Sequence, residues 1–169
     1  MYNKEVIDHF MHPRNMGEIK DADGIGKVGN MTCGDIMWVY VKVGKNDKGE
    51  PAIKDIKFKT LGCAAAIASS SMATELAKGK TIDEALNITK EDIVGALGAM
   101  PAVKVHCSLL AIEALSEAIY NYLSRNGLPV PEELSKTHER LKIEFEKTKE
   151  KYKDFVKSQE NFLEKSESG

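Results

Sequence analysis

Cys33, Cys63 and Cys107 are the three cysteines of the chain, and each stands where a metal ligand would stand rather than a core filler. Cys33 opens Cys33-Gly34-Asp35, Cys63 follows Leu61-Gly62 at the head of an alanine- and serine-rich stretch, and Cys107 follows His106. Three thiolates with Asp35 or His106 as a fourth ligand satisfy a tetrahedral, thiolate-rich site, which suits zinc or an iron–sulfur cluster. A thiol must lose its proton to ligate, and its ordinary pKa near ~8.5 falls at a helix N-terminus or beside a cation or metal. Cys63 and Cys107 precede or enter the first turn of an expected helix, where free N–H groups favour an anion. Gly34 lets the Cys33 loop approach a bound group closely. Asp35 is two residues from Cys33, so extended backbone points both side chains to one face. A carboxylate oxygen is harder and more exchangeable than thiolate. Three thiolates with a labile fourth ligand suit a metal centre that is meant to leave.

The same residues admit other readings. Cysteine is often a small core residue, so three unrelated buried thiols are one alternative. A zinc-stabilised binding module would use the same ligands. A thiol enzyme would need Cys107 as nucleophile and His106 as base, a poor dyad because adjacent residues rarely aim at one another.

The elements that must position these residues are legible from periodicity. Val6, Ile7, Phe10 and Met11 predict a short helix near 3–11, before the turn Pro13-Arg14-Asn15-Met16-Gly17. Ile25 and Val28 belong to a weak first strand, with Lys27 compatible with an edge. In the second strand Met37, Val39, Val41 and Val43 share one face. The other carries Ile36, Trp38, Tyr40 and Lys42 and is expected to be partly solvated. Residues 44–51 read as a hairpin loop. A third strand near 53–60 points Ile56 and Phe58 one way, and Ile53 breaks the parity as at a bulge. From residue 63 the chain is helical. Ala64, Ile67, Ala68, Ser71, Met72, Glu75 and Leu76 are expected to line one side of a helix ending near Lys78-Gly79. Thr81 and Glu84 form a capping box, and Thr89 with Glu91-Asp92 opens another short helix. Leu109, Ile112, Leu115, Ile119, Tyr122 and Leu123 mark a long amphipathic helix closed by Asn126-Gly127 and Pro129.

Composition shifts at Pro129-Val130-Pro131. Residues 132–165 are rich in Glu, Lys and Arg, and Leu134, Leu141, Thr148, Phe155 and Phe162 recur every seven residues beside Phe145 and Tyr152. They read as one long helix whose apolar seam must bury against its own domain, a second copy or a partner. Ser166-Glu167-Ser168-Gly169 reads as a frayed tail. The expected division is therefore 1–129 for the ligand-bearing domain and 130–169 for an appended charged amphipathic helix and tail. A length of 169 residues with 30% charged residues and a net charge of -2 gives no sign of a nucleic-acid surface. No apolar run reaches the ~20 residues of a membrane span, and the N-terminal residues lack the apolar stretch of a signal peptide. An odd cysteine count argues against a disulfide framework and for a reducing, cytoplasmic setting.

The chain resembles the IscU/NifU-type iron–sulfur cluster assembly scaffolds. The resemblance is carried by Tyr2, Val6-Ile7-Asp8-His9-Phe10, Pro13-Arg14-Asn15-Met16-Gly17 and Cys33-Gly34-Asp35. It continues through Gly62-Cys63, Ala66-Ile67-Ala68-Ser69-Ser70-Ser71 and Val103-Lys104-Val105-His106-Cys107-Ser108, and spans residues 1 to about 128. It implies an α+β fold, with a small, mainly antiparallel three-stranded sheet packed with helices, to which the long C-terminal helix is added. It implies that a [2Fe–2S] cluster is assembled from iron and sulfur delivered by a cysteine desulfurase, then transferred to apo iron–sulfur acceptor proteins. The implied role is that of a scaffold rather than an enzyme. Ligation is implied for Cys33, Cys63 and Cys107, with Asp35 or His106 as the alternative fourth ligand. Cys107 matches the persulfide acceptor and Lys104 a family lysine beside the site. Zinc can substitute in such a site, and self-association through the cluster or the last helix is a further expectation. Ala64-Ala65 replace the common Gly-Ser, and Met31 stands where proline is frequent. Met100-Pro101-Ala102-Val103-Lys104 lacks the second proline of the family's chaperone-recognition stretch, which weighs against dependence on a dedicated DnaK-type chaperone.

Overall fold

The computed structural model describes residues 2–153, 157–158 and 160–161. Phe155, Phe162 and the C-terminal tail lie outside them. Helix α1 (Lys4–Met11) leads into three strands, β1 (Gly24–Gly29), β2 (Ile36–Lys45) and β3 (Pro51–Leu61). Helices α2 (Ala64–Ala77), α3 (Ile82–Leu86) and α4 (Lys90–Ala96) follow, then a 3₁₀ turn (Ala102–Lys104), α5 (Val105–Arg125) and α6 (Glu132–Lys151). The strands form an antiparallel sheet in the order β1-β2-β3. The expected parity break is a bulge: Lys42 pairs with Asp55 and Val43 with Ile53, leaving Lys54 over.

Met37, Val39, Val41, Ile56 and Phe58 face the main core, where α2 and α5 pack. Helix α5 lies directly on β1 because Gly24 and Gly26 present no side chain. A Cβ on either would stand 2.2 or 2.1 Å from the carbonyl oxygens of Ala118 and Ala114. The opposite face is more buried than expected, and of its four residues Lys42 alone is half-exposed. Ile36, Trp38 and Tyr40 are buried with Ala22 and Phe145, and Tyr152 packs beside them. Phe145 of α6 and the segment around Ile19 and Ala22 cover that face, while Leu134 and Leu141 of the same seam are buried in the main core and Thr148 is buried against β1. Paired side chains fix α6 to α5. Arg140 bonds Glu113 at 3.0 Å, His138 bonds Glu117 at 2.9 Å, and the His138 ring stacks on Tyr120 with centroids 3.8 Å apart.

Three further expectations change. The seam does not continue as one helix to 165, because α6 is capped at Tyr152 and Glu160 pairs with Lys149 at 3.3 Å. Eleven residues of unbroken helix would separate those two by ~16 Å. In α1 the buried residues are Val6 and His9, while Ile7, Phe10 and Met11 are exposed. In the long helix Leu109 faces outward, while the start at Val105 keeps Cys107 in the first turn as expected.

Helix α2 has no single apolar stripe. Ten of its residues are buried, whereas Glu75 is exposed and Ile67 and Leu76 are half-buried. It is packed by α1, α4, α5 and β3 together, and small side chains allow that approach. Its hydroxyls each bond a different neighbour. Ser69 meets Ser108 of α5 at 3.1 Å, Ser70 donates to Ala66 O at 2.7 Å and to Met37 Sδ at 3.1 Å, and Ser71 meets His9 Nδ1 at 2.8 Å. Ser71 Oγ also accepts the Arg14 N–H, so its own hydrogen is placed to donate to His9.

Candidate metal centre

The site forms where two helix N-termini meet the turn between β1 and β2. Cys63 is the N-cap of α2, yet its side chain makes no capping bond and stays available as a ligand. Cys107 lies in the first turn of α5. The Ser69–Ser108 contact ties these helices together, six residues after Cys63 and one after Cys107, and the two Sγ atoms stand 3.7 Å apart. Asp35 supplies the third donor. Ligand atoms of Asp35, Cys63 and Cys107 all lie within 4.8 Å of one another. Asp35 and Cys107 are buried and Cys63 is half-buried.

Gly62 creates the space for Asp35. A Cβ at Gly62 would come within 3.1 Å of the Asp35 carboxyl carbon and 2.9 Å of Ala66 Cβ. On the other side the turn is organised by Asn30, which sequence reasoning missed. Its side-chain oxygen accepts the Thr32 N–H at 2.8 Å and the Cys33 N–H at 3.3 Å. Its backbone exchanges bonds with Gly34 and Asp35 at 2.7 and 2.9 Å. The signal was an Asn three residues before Cys33, where an Asx turn is readily formed. Gly34 closes the turn with φ +74°.

The candidate ligands are not equivalent. Cys33 is exposed and stands outside the group formed by Asp35, Cys63 and Cys107. His106 lies at its edge, with Nε2 3.6 Å from Cys107 Sγ. The expectation that these neighbours point apart is therefore corrected: in the first turn of α5 they converge. Lys104, half-buried at the end of the 3₁₀ turn, forms no ion pair with Asp35, among the described residues, and acts on it only through space.

Burial raises the proton affinity of Cys107 strongly, and the neighbouring Cys63 adds to the effect. Burial also raises that of Cys33, against a backbone hydrogen bond at Asp35. Asp35 is raised by burial too, while a hydrogen bond from Cys33 and the charges of His106 and Lys104 pull it back. Its Oδ2 is buried and has no hydrogen-bond partner among the described residues. Such an oxygen is costly unless something binds it. A cation supplies the positive charge that burial withholds, and deprotonates the thiols it binds.

Residues 1–128 match the family of NifU-like N-terminal domains. An iron–sulfur cluster assembly scaffold protein IscU of Archaeoglobus fulgidus is 58% identical over 127 residues, covering 75% of this chain and 80% of that protein. The IscU scaffold protein of Aquifex aeolicus is 46% identical over 156 residues, covering 92% of this chain and 96% of its own length. That alignment necessarily runs into α6, since 131 residues precede Glu132. A solved N-terminal domain of a NifU-like protein from Brucella abortus shares the fold at a TM-score of 0.56 and 18% identity, over 73% of this chain and 94% of that one.

Proposed function

The chain belongs to the NifU-like N-terminal domain family, and from that premise we propose that it is a scaffold on which an iron–sulfur cluster is built and then handed to apo-proteins. The observation that carries the reading is the convergence of the Asp35, Cys63 and Cys107 ligand atoms within 4.8 Å of one another, with one Asp35 oxygen unpartnered among the described residues. Two soft thiolates and one hard carboxylate form a mixed donor set, in which the carboxylate exchanges most readily. A resident structural zinc is better served by a closed set of thiolates and imidazoles. The cargo is a [2Fe–2S] cluster. Cys33, Cys63 and Cys107 bind it, Asp35 is the exchangeable fourth ligand, and His106 is placed beside Cys107 to take that position when Asp35 leaves.

Sulfur arrives from a cysteine desulfurase as a persulfide. The Cys107 thiolate attacks the outer sulfur, a new S–S bond forms at Cys107, and the donor's S–S bond breaks to release its thiolate. His106 Nε2, 3.6 Å from Sγ, is the nearest base for the thiol proton. Cys107 is buried, so this transfer requires the rim of the site to open. Each sulfur becomes sulfide with two electrons from an external reductant. Lys104 offsets the charge of the anionic site. Residues 102–104 fold as a 3₁₀ turn behind Pro101, and Ala102 in place of a second proline weighs against dependence on a dedicated DnaK-type chaperone. No helix among the described residues is long and apolar enough to cross a membrane, and the reducing chemistry fits the cytoplasm.

The test is anaerobic incubation with iron and sulfide. The protein should redden, with visible charge-transfer bands and two irons per cluster, and should then pass the cluster to an apo-ferredoxin-type acceptor. A colourless protein that keeps stoichiometric zinc through the same treatment would overturn the reading in favour of the binding module.

A further inference from the structure

Helix α6 reaches the turn that carries two of the candidate ligands, although its own sequence contains none of them. The turn that carries Cys33 and Asp35 starts after Gly29 and contains Gly34. Both glycines are contact points for α6. A Cβ on Gly29 would stand 2.6 Å from Thr148 Cβ, and a Cβ on Gly34 would stand 2.4 Å from the Tyr152 hydroxyl oxygen. Thr148 and Tyr152 are four residues apart and so share one face of the helix end. Phe145, one turn earlier, is buried against Ile36, Trp38 and Tyr40 at the start of β2. Gly62 and the Cys63 corner stand on the opposite side of the turn, 3.1 Å from the Asp35 carboxyl by the same measure. The turn is thus held between a wall that carries a ligand and a wall built by α6.

We propose that Tyr152 is a positioning residue for the cluster site, and that α6 acts as a strap whose last turn presses on Gly34 and thereby sets where Cys33 and Asp35 stand. The inference rests on the scaffold reading above. Tyr152 acts through the backbone of Gly34, which lies between two ligands in the chain. A side chain at Gly34 would occupy the place of the Tyr152 hydroxyl, so a bare Cα is required here on steric grounds as well as by its positive φ. Supporting contacts of this kind decide whether a ligand is held or only present.

The test uses the full chain and two readouts. In the first, wild type, Tyr152→Ala, Tyr152→Phe, Gly34→Ala and the Gly34→Ala/Tyr152→Phe pair are reconstituted anaerobically. Visible circular dichroism and the rate of iron loss to a chelator are then recorded. Tyr152→Ala should lose iron about fivefold faster and change the visible dichroism, while Tyr152→Phe, which keeps the ring, should stay within about twofold of wild type. Gly34→Ala should be impaired, and the paired change should recover part of the loss because it removes the colliding hydroxyl. In the second readout, the apoproteins are alkylated and the rate is read at each cysteine by mass spectrometry. Tyr152→Ala should alter the Cys33 rate several-fold and leave Cys63 unchanged. Wild-type iron loss and dichroism in Tyr152→Ala, together with an unchanged Cys33 rate, would overturn the proposal. So would a Gly34→Ala defect that Tyr152→Phe leaves untouched. If Tyr152→Ala does not fold, the Gly34 pair decides. If wild type never takes a cluster, the scaffold reading fails and the alkylation rates alone decide the inference.

Discussion

The two sides of the candidate site are built differently. Cys63 and Cys107 stand on helix N-termini inside the core, and the Ser69–Ser108 contact fixes those helices to each other. Cys33 and Asp35 stand on a turn whose shape depends on one asparagine side chain, two glycines and the end of α6. The first side is a preformed thiol pair that cannot shift without moving α2 against α5. The second is a short segment whose walls belong to separate parts of the chain. A carrier needs both properties. A fixed pair keeps the cargo, while an adjustable pair lets a carboxylate exchange for an incoming ligand.

The sharpest way to break this comparison is to remove ligands one at a time. Cys63→Ser and Cys107→Ser should each abolish a cluster that survives desalting, with the far-ultraviolet dichroism kept. Cys33→Ser should bind a cluster that is visible on reconstitution but lost faster than wild type. Equal loss in all three variants, measured as iron and sulfide per chain, would erase the distinction between the two sides.

Removing the strap is the next largest test. A chain ending at Pro129 exposes Ile36, Trp38 and Tyr40 and discards the buried Leu134, Leu141 and Phe145. Burial of one such side chain is worth about 1.5–3 kcal/mol, so the melting temperature should drop by many degrees. A melting curve that matches the full chain would show that α6 contributes little to the fold.

Asp35→Ala should have an effect of opposite sign on stability. It removes a buried carboxylate with an unpartnered oxygen, so the apoprotein should gain about 1 kcal/mol in a urea titration. The same change should slow cluster transfer, followed through the acceptor's spectrum. A less stable Asp35→Ala apoprotein would mean that the Cys33 hydrogen bond outweighs the burial of the carboxylate.

Much of this arrangement was legible in the sequence where local chemistry decides it. The Thr81–Glu84 capping box is present as read, and Thr89 forms a second with Asp92. The strand parities and the bulge also follow from local pattern. Residue type and placement point to Cys33, Cys63 and Cys107 with Asp35 or His106 as partners, whereas the fold gathers Asp35, Cys63 and Cys107, leaves Cys33 outside that group and sets His106 at its edge. What remained hidden depends on tertiary context. Apolar periodicity cannot say that Ile7, Phe10 and Met11 face outward, because hydroxyls and alanines of α2 cover the other side of α1. It cannot orient a helix such as α2 that is buried on nearly every side. The strap was hidden for a related reason. Glycine in Cys33-Gly34-Asp35 reads as loop chemistry, and only the fold brings Tyr152 to it from 118 positions away in the chain.

The smallest expected effect concerns the anchor behind the fixed side. His9 is buried, meets Ser71 at 2.8 Å and faces Glu75 at 3.9 Å, so it ties α1 to the helix that carries Cys63. Burial lowers its pKa, and the charge of Arg14 lowers it further, against the pull of Glu75. Above the unfolded value of about 6.5, histidine is neutral in both states and contributes no pH dependence. As pH falls below that value, the unfolded chain binds a proton that the folded chain resists. Stability therefore declines through this window, until pH reaches the depressed folded pKa. His9→Gln keeps a polar group in place and has no such titration. Its unfolding free energy between pH 7 and 5 should fall less steeply than wild type's, by the slope of one group. The two proteins differ only at position 9, so the difference between the two curves isolates His9. Parallel curves would show that Ser71 holds His9 equally well in either protonation state, and that the fixed side of the site is insensitive to acid at this anchor.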